Sequence, residues 1–167
     1  PPWRVFYPLV VRFVCELRGI SGDTSDGTLA RFETELKPRL SLTESNIVVI
    51  ATGINDSAII PAEKYQTNLI QLVNIARKYT QEIIFIGPTP IDEAKVEVPW
   101  VPGKFLTSQS VQQFNQIMSK VAKTNNLKYV NLFNDLPPEY IKTLDDGVHP
   151  NRDGHLMIFN LVRSVLK

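Results

Sequence analysis

Three short runs of β-branched and apolar residues, separated by stretches of helical periodicity, limit what this chain can fold into. The first run is Ile47-Val48-Val49-Ile50-Ala51, followed in residues 63–79 by Leu69, Leu72, Val73 and Ala76 at the spacing of one helix face. Residues 82–87 form the second run. Helical spacing then returns over residues 108–125, at Val111, Phe114, Ile117, Met118 and Val121. Residues 128–132 are the third run, and residues 152–166 read as a closing helix. A continuous apolar run without polar alternation is the pattern of a strand buried on both faces. Strands alternating with helices of ordinary length imply a parallel sheet covered on both sides. The expected fold class is therefore α/β, a three-layer α/β/α sandwich with a mostly parallel sheet.

The remaining segments are read by the same rules. Residues 19–25 are small and polar, and they lead into an expected helix from Thr28 to Leu40 with Leu29, Phe32, Leu36 and Leu40 on one face. Asp23, Thr24, Ser25 and Asp26 are all capable N-caps for it. In residues 1–18, Tyr7, Val10, Val11, Val14 and Leu17 fit a helix opening at Pro8, and a strand from Arg4 to Phe13 is the alternative. Residues 88–106 form a long irregular segment containing Pro99, Trp100, Pro102 and Gly103, and such loops are often functional. A length of 167 residues suits a single domain. The net charge of +1 and the lack of a basic run argue against a nucleic-acid partner. Cys15, the single cysteine, excludes an internal disulfide framework and reads as a core thiol. The apolar stretch 6–14 is broken by Pro8 and Arg12, too short and too charged for a membrane span. No signal-peptide cleavage pattern follows it, so a cytoplasmic location is expected.

A parallel sheet also predicts where chemistry sits, because ligands in open α/β sheets bind outside the carboxyl ends of the strands. Residues 53–57 follow a strand, and the loops at 19–25 and 145–151 precede helices, so, if a strand comes before residues 19–25, three polar loops distant in sequence converge on one rim. The last of them carries Asp146 and His149, a carboxylate and an imidazole three residues apart. Such a pair can serve a hydroxyl nucleophile, the imidazole taking its proton and the carboxylate orienting the imidazolium. Pro150 biases His149 toward an extended conformation, on a loop before a helix. Asp56 is expected to brace its loop by accepting backbone N–H bonds, Asp145 to be solvated, and His155 to lie on a helix surface. No CxxC or HExxH is present, and no metal site is expected.

The blocks GISGDTS, ATGINDS and DDGVHPNRDGH, in that order, resemble the SGNH subgroup of the GDSL-type esterases and lipases over residues 19–167. The resemblance implies a flavodoxin-like sandwich and ester hydrolysis through an acyl-enzyme, using a Ser-His-Asp triad and a Gly/Asn oxyanion hole. It implies that His149 is the base and Asp146 its partner. The Gly22 N–H and the Asn55 side-chain amide would receive the oxyanion. A small-molecule ester is the implied substrate, with no cofactor. Trp100 and Phe105 are candidates for an acyl pocket or lid, with packing of the long loop as the equal alternative. The family's G-D-S nucleophile block is not among the 167 residues, and residues 1–18 contain no serine. The YPLVVRFVCEL run resembles the helix that follows that block. The expectation is a single domain over 1–167 lacking its first strand and nucleophile block, through omission of residues from this sequence, with a truly rearranged chain as the alternative. Ser21 is a poor substitute, since one loop would then present both attacker and oxyanion receiver. Two other readings are kept: a binding module without the serine, and a metal-dependent hydrolase using the cluster from Asp145 to His155.

Overall fold

The computed structural model describes residues 19–38, 40, 46–96, 99 and 102–165, so the expectations for residues 1–18 and for Trp100 lie outside the described residues. Within them, β1 (Ile47–Ala51), β2 (Glu82–Ile86) and β3 (Lys128–Val130) form a parallel sheet in the order β1-β2-β3. Val49 pairs with Ile84, and Ile84 with Lys128. The connecting helices are α1 (Ser25–Leu36), α2 (Ile54–Ile59), α3 (Ala62–Ala76), α4 (Ser108–Thr124), α5 (Leu132–Asp135) and α6 (Arg152–Val165).

Alternate residues of the strands build two cores. Val48, Ile50, Ile83 and Phe85 face α3 and α4, where Leu69, Leu72, Phe114 and Met118 are buried, and Leu29, Phe32 and Leu36 of α1 pack against this cluster. On the opposite face, Ile84 and Val130 pack with Leu132, Leu136, Tyr140 and Leu144, and with Met157, Ile158, Leu161 and Val162 of α6. Helices therefore lie on both faces of a parallel sheet, the expected α/β/α arrangement.

Four local expectations are corrected. β1 is not buried on both faces: Val48 and Ile50 are 5% and 3% exposed, but Ile47 and Val49 are 52% and 48% exposed. The α6 side chains pack over β2 and β3, and no described element covers β1 on that side. A β-branched run identifies a strand without fixing how many faces are covered.

α1 begins at Ser25 instead of Thr28, and ends at Leu36 instead of Leu40. Pro38 has no N–H to continue the helical ladder, which sets the end despite the apolar period running on to Leu40. Residues 53–57 are not a loop throughout, because α2 starts at Ile54. The third strand stops at Val130. The Asn131 side chain there accepts a hydrogen bond from the Asn134 N–H (3.3 Å), which caps α5 and places Leu132 in a helix. Residues 108–125 meet expectation: Thr107 and Ser110 form a reciprocal capping box, and α4 runs to Thr124.

Candidate active site

The loop carrying Asp146 and His149 is pinned at its base. Leu144 and Pro150 form an isolated antiparallel bridge, and the Asn151 N–H donates to the Thr143 carbonyl (2.8 Å). Asn151 then caps α6, its side-chain oxygen accepting from the N–H groups of Asp153 (3.0 Å) and Gly154 (3.3 Å). Within this closed turn, Asp146 Oδ2 lies 2.6 Å from His149 Nδ1. Asp146 Oδ1 accepts from the backbone N–H groups of His149 (2.7 Å) and Val148 (2.9 Å). The backbone N–H of His149, then its ring, then the N–H of Val148 hold the Asp146 carboxyl well below the usual carboxylate range. The folded-state value thus lies below the unfolded one, so any stability this contact adds is present at neutral pH and is lost only in strong acid. An ionised carboxylate only accepts, so Nδ1 carries a proton, and in a neutral ring that leaves the lone pair on Nε2.

Segment 92–96 supports this turn from behind. The Asp92 N–H donates to the Gly147 carbonyl (2.8 Å), and Lys95 Nζ donates to the Leu144 carbonyl (2.9 Å). Gly147 has φ +84°, and a Cβ there would meet the Asp92 carbonyl oxygen at 2.5 Å. The predicted result for Gly147→Ala is a loss of about 2 kcal/mol or more of stability, since the left-handed conformation alone costs about 1–2 kcal/mol for a residue with a Cβ. Displacement of the Asp146–His149 turn accompanies it. Urea unfolding and an NMR spectrum of the His149 ring check this, and a variant of unchanged midpoint and spectrum would contradict it. Asp92 and Lys95 were missed by sequence reasoning. The length of the 88–106 segment was the only signal there.

The other half of the rim is built on the turn after β1. Asp56 is fully buried, its Oδ1 accepting from the Ser25 N–H (2.8 Å) and its Oδ2 from the Thr52 hydroxyl (2.7 Å). It thereby fastens the start of α1 to the start of α2, a bracing role. Replacing it with Ala strands the buried Ser25 N–H and is expected to cost roughly 3 kcal/mol. Denaturant unfolding measures this, and a loss below about 1 kcal/mol would contradict the bracing role.

The neighbouring Asn55 donates its side-chain amide to the Asp23 carbonyl at 2.6 Å. The Asp23 N–H in turn closes a tight turn on the Ile20 carbonyl (3.1 Å), with Gly22 at φ +74° inside it. Gly22 therefore has the positive φ that a tight turn demands, and it sits one residue from the carbonyl that holds Asn55.

The two halves meet. Where Gly53 would carry a Cβ, the Pro88 ring lies at 3.5 Å, so the turns after β1 and β2 touch. The segment after β2 then runs to Asp92, which binds Gly147. Gly22, Asn55 and the Asp146–His149 pair thus stand on one continuous rim at the carboxyl ends of the strands. Phe105 is 52% exposed and lines a cleft of about 440 Å³ together with Ser57–Pro61 of α2 and its C-terminal flank. His155 is exposed on α6, and Asp145 is exposed beside Asp146. Among the described residues, no group of three or more His, Cys, Asp or Glu is placed to hold a metal ion. No described helix is long and apolar enough to cross a membrane.

An α/β sandwich with a polar rim, carrying an Asp–His pair, has the architecture of a hydrolase. The chain belongs to the GDSL-like lipase/acylhydrolase family, which matches residues 4–157. It is similar to the isoamyl acetate-hydrolyzing esterase of Saccharomyces cerevisiae, 26% identical over 165 residues, with 90% of this chain and 67% of that protein covered. Its fold resembles a lipase/acylhydrolase from Enterococcus faecalis (TM-score 0.70, 21% identity, 86% of this chain and 71% of the other). It also resembles an acetylxylan esterase from Geobacillus stearothermophilus (TM-score 0.71, 22% identity, 89% and 70%).

Proposed function

We propose that this protein hydrolyses a carboxylic ester through a serine acyl-enzyme, with His149 as general base and Asp146 as its orienting carboxylate. The observation that carries the reading is the 2.6 Å contact between Asp146 Oδ2 and His149 Nδ1, in a turn locked at both ends. With Nδ1 protonated and held, Nε2 takes the proton of an attacking hydroxyl and returns it to the leaving alcohol. The tetrahedral intermediate concentrates negative charge on one oxygen, which the Gly22 N–H and the Asn55 amide stabilise from the other half of the rim. Phe105 contributes a wall that receives the non-reacting part of the ester. No cofactor enters any step.

The attacking serine comes, on this reading, from a G-D-S segment outside the 167 residues, which also supplies the first strand of the sheet. Support comes from the Geobacillus stearothermophilus esterase, which was solved as catalytic mutants of a serine, an aspartate and a histidine, the last two three residues apart. Asp146 and His149 have the same spacing. The test is hydrolysis of p-nitrophenyl acetate by the purified protein, with its intact mass measured beside it. Steady turnover, and a mass above the 18.9 kDa of these residues, are expected. Absence of both burst and turnover in a folded protein would leave a binding module in place of an enzyme.

A further inference from the structure

The cleft beside Phe105 has a lining whose hydrogen-bonding capacity is unevenly used. Among the described residues its hydroxyls come from Ser57, Thr107 and Ser110, and its one charged side chain is Lys104. Ser57 Oγ already donates to the Ile54 carbonyl (2.7 Å), and Ser110 Oγ to the Thr107 carbonyl (2.9 Å). Thr107 Oγ1 accepts the Ser110 N–H at 3.1 Å in the capping box. The two serine hydroxyl protons are thereby committed to holding α2 and α4 in place, and Thr107 Oγ1 is engaged as an acceptor. Among the described residues no carboxylate lines the cleft, and Glu93 is bonded to the Ser108 N–H at 2.7 Å. The ammonium of Lys104 has no ion-pair partner among the described residues, so its protons are the main donors the lining offers a ligand.

The cleft is mechanically continuous with the rim. Ala58, Leu106 and Val148 share one buried cluster. Each is the chain neighbour of a key residue: Ser57, Phe105 and His149. α2 carries Asn55 in its first turn and Ser57 to Ile59 in the next, so it leads from the rim into the cleft.

We propose that this cleft binds the part of the substrate remote from the scissile bond, and that Lys104 makes it selective for esters bearing a carboxylate on a short apolar arm. The apolar arm lies on Phe105 and Ile60, and the carboxylate pairs with the Lys104 ammonium. The proposal rests on the ester-hydrolase reading for its substrate class, and Lys104 acts in binding alone.

The test compares two aryl esters of equal length, 4-nitrophenyl hemiglutarate and 4-nitrophenyl pentanoate. In the unaltered protein the anionic ester is expected to have the higher kcat/KM, through a lower KM. Lys104→Gln should reduce the ratio of the two by roughly three- to fivefold, the range of a solvent-exposed ion pair, and Lys104→Glu should invert it. Added salt should shrink the preference in the unaltered protein and leave the Lys104→Gln ratio where it is. An unchanged ratio in both variants would overturn the assignment. Calorimetric binding of the same two esters to the His149→Ala protein separates the cleft from the chemistry. Lys104-dependent preference for the anion supports the cleft even if the unaltered protein turns over neither ester, an outcome that would sink the hydrolase reading alone. Binding without that preference overturns the Lys104 proposal whatever the activity.

Discussion

His149→Ala is expected to lower kcat for any ester substrate by about 10⁴-fold or more, while leaving the unfolding midpoint nearly unchanged. The first half follows from its proposed role as general base. Without an acceptor for the serine proton, the nucleophile remains a neutral alcohol, and removal of one member of such a triad removes most of what the triad achieves together. The second half follows from where the side chain sits. The His149 side chain is 70% exposed and its Asp146 partner 57%, so truncation empties no core. Loss of turnover in a protein of unaltered stability therefore reads as loss of chemistry. Equal turnover in the two proteins would remove His149 from the mechanism.

Asn55→Ala is expected to lower kcat by about 10²- to 10³-fold with a much smaller change in KM, because the oxyanion it is proposed to stabilise exists only along the reaction path. The structure adds a second consequence. The same amide holds the Asp23 carbonyl at 2.6 Å, so the variant should also lose about 1 kcal/mol of stability. A change confined to KM would contradict the oxyanion role and leave Asn55 as a brace for the Gly22 turn. Steady-state kinetics and urea unfolding on the same preparation distinguish the two.

The sheet and its layers were legible because the signals were dense and local. Residues 47–51 and 82–86 are β-branched or aromatic runs, and α4 has both a clear apolar stripe and a Thr107 cap. The Asp146–His149 pair was legible for a similar reason: it spans a short distance along the chain and stands before a Pro that shapes the turn. What was not legible depends on contacts between distant residues. The start of α1 at Ser25 is set by the buried carboxylate of Asp56, thirty-one residues away. The Asp92–Gly147 bond that backs the Asp146–His149 turn joins two segments with no shared pattern. α2 was hidden because its six residues are too few to show a helical period. The exposed face of β1 was missed because burial of a strand is a property of its neighbours.

The most direct test of the account is labelling of the purified protein with a fluorophosphonate, followed by peptide mapping of the adduct. The reagent forms an Oγ–P bond with an activated serine and releases fluoride, so it reports the nucleophile without requiring knowledge of the ester. The account predicts one adduct per chain, on a G-D-S serine outside the 167 residues, and its loss in His149→Ala. A folded protein that takes no label, or one whose labelling survives His149→Ala, would contradict it.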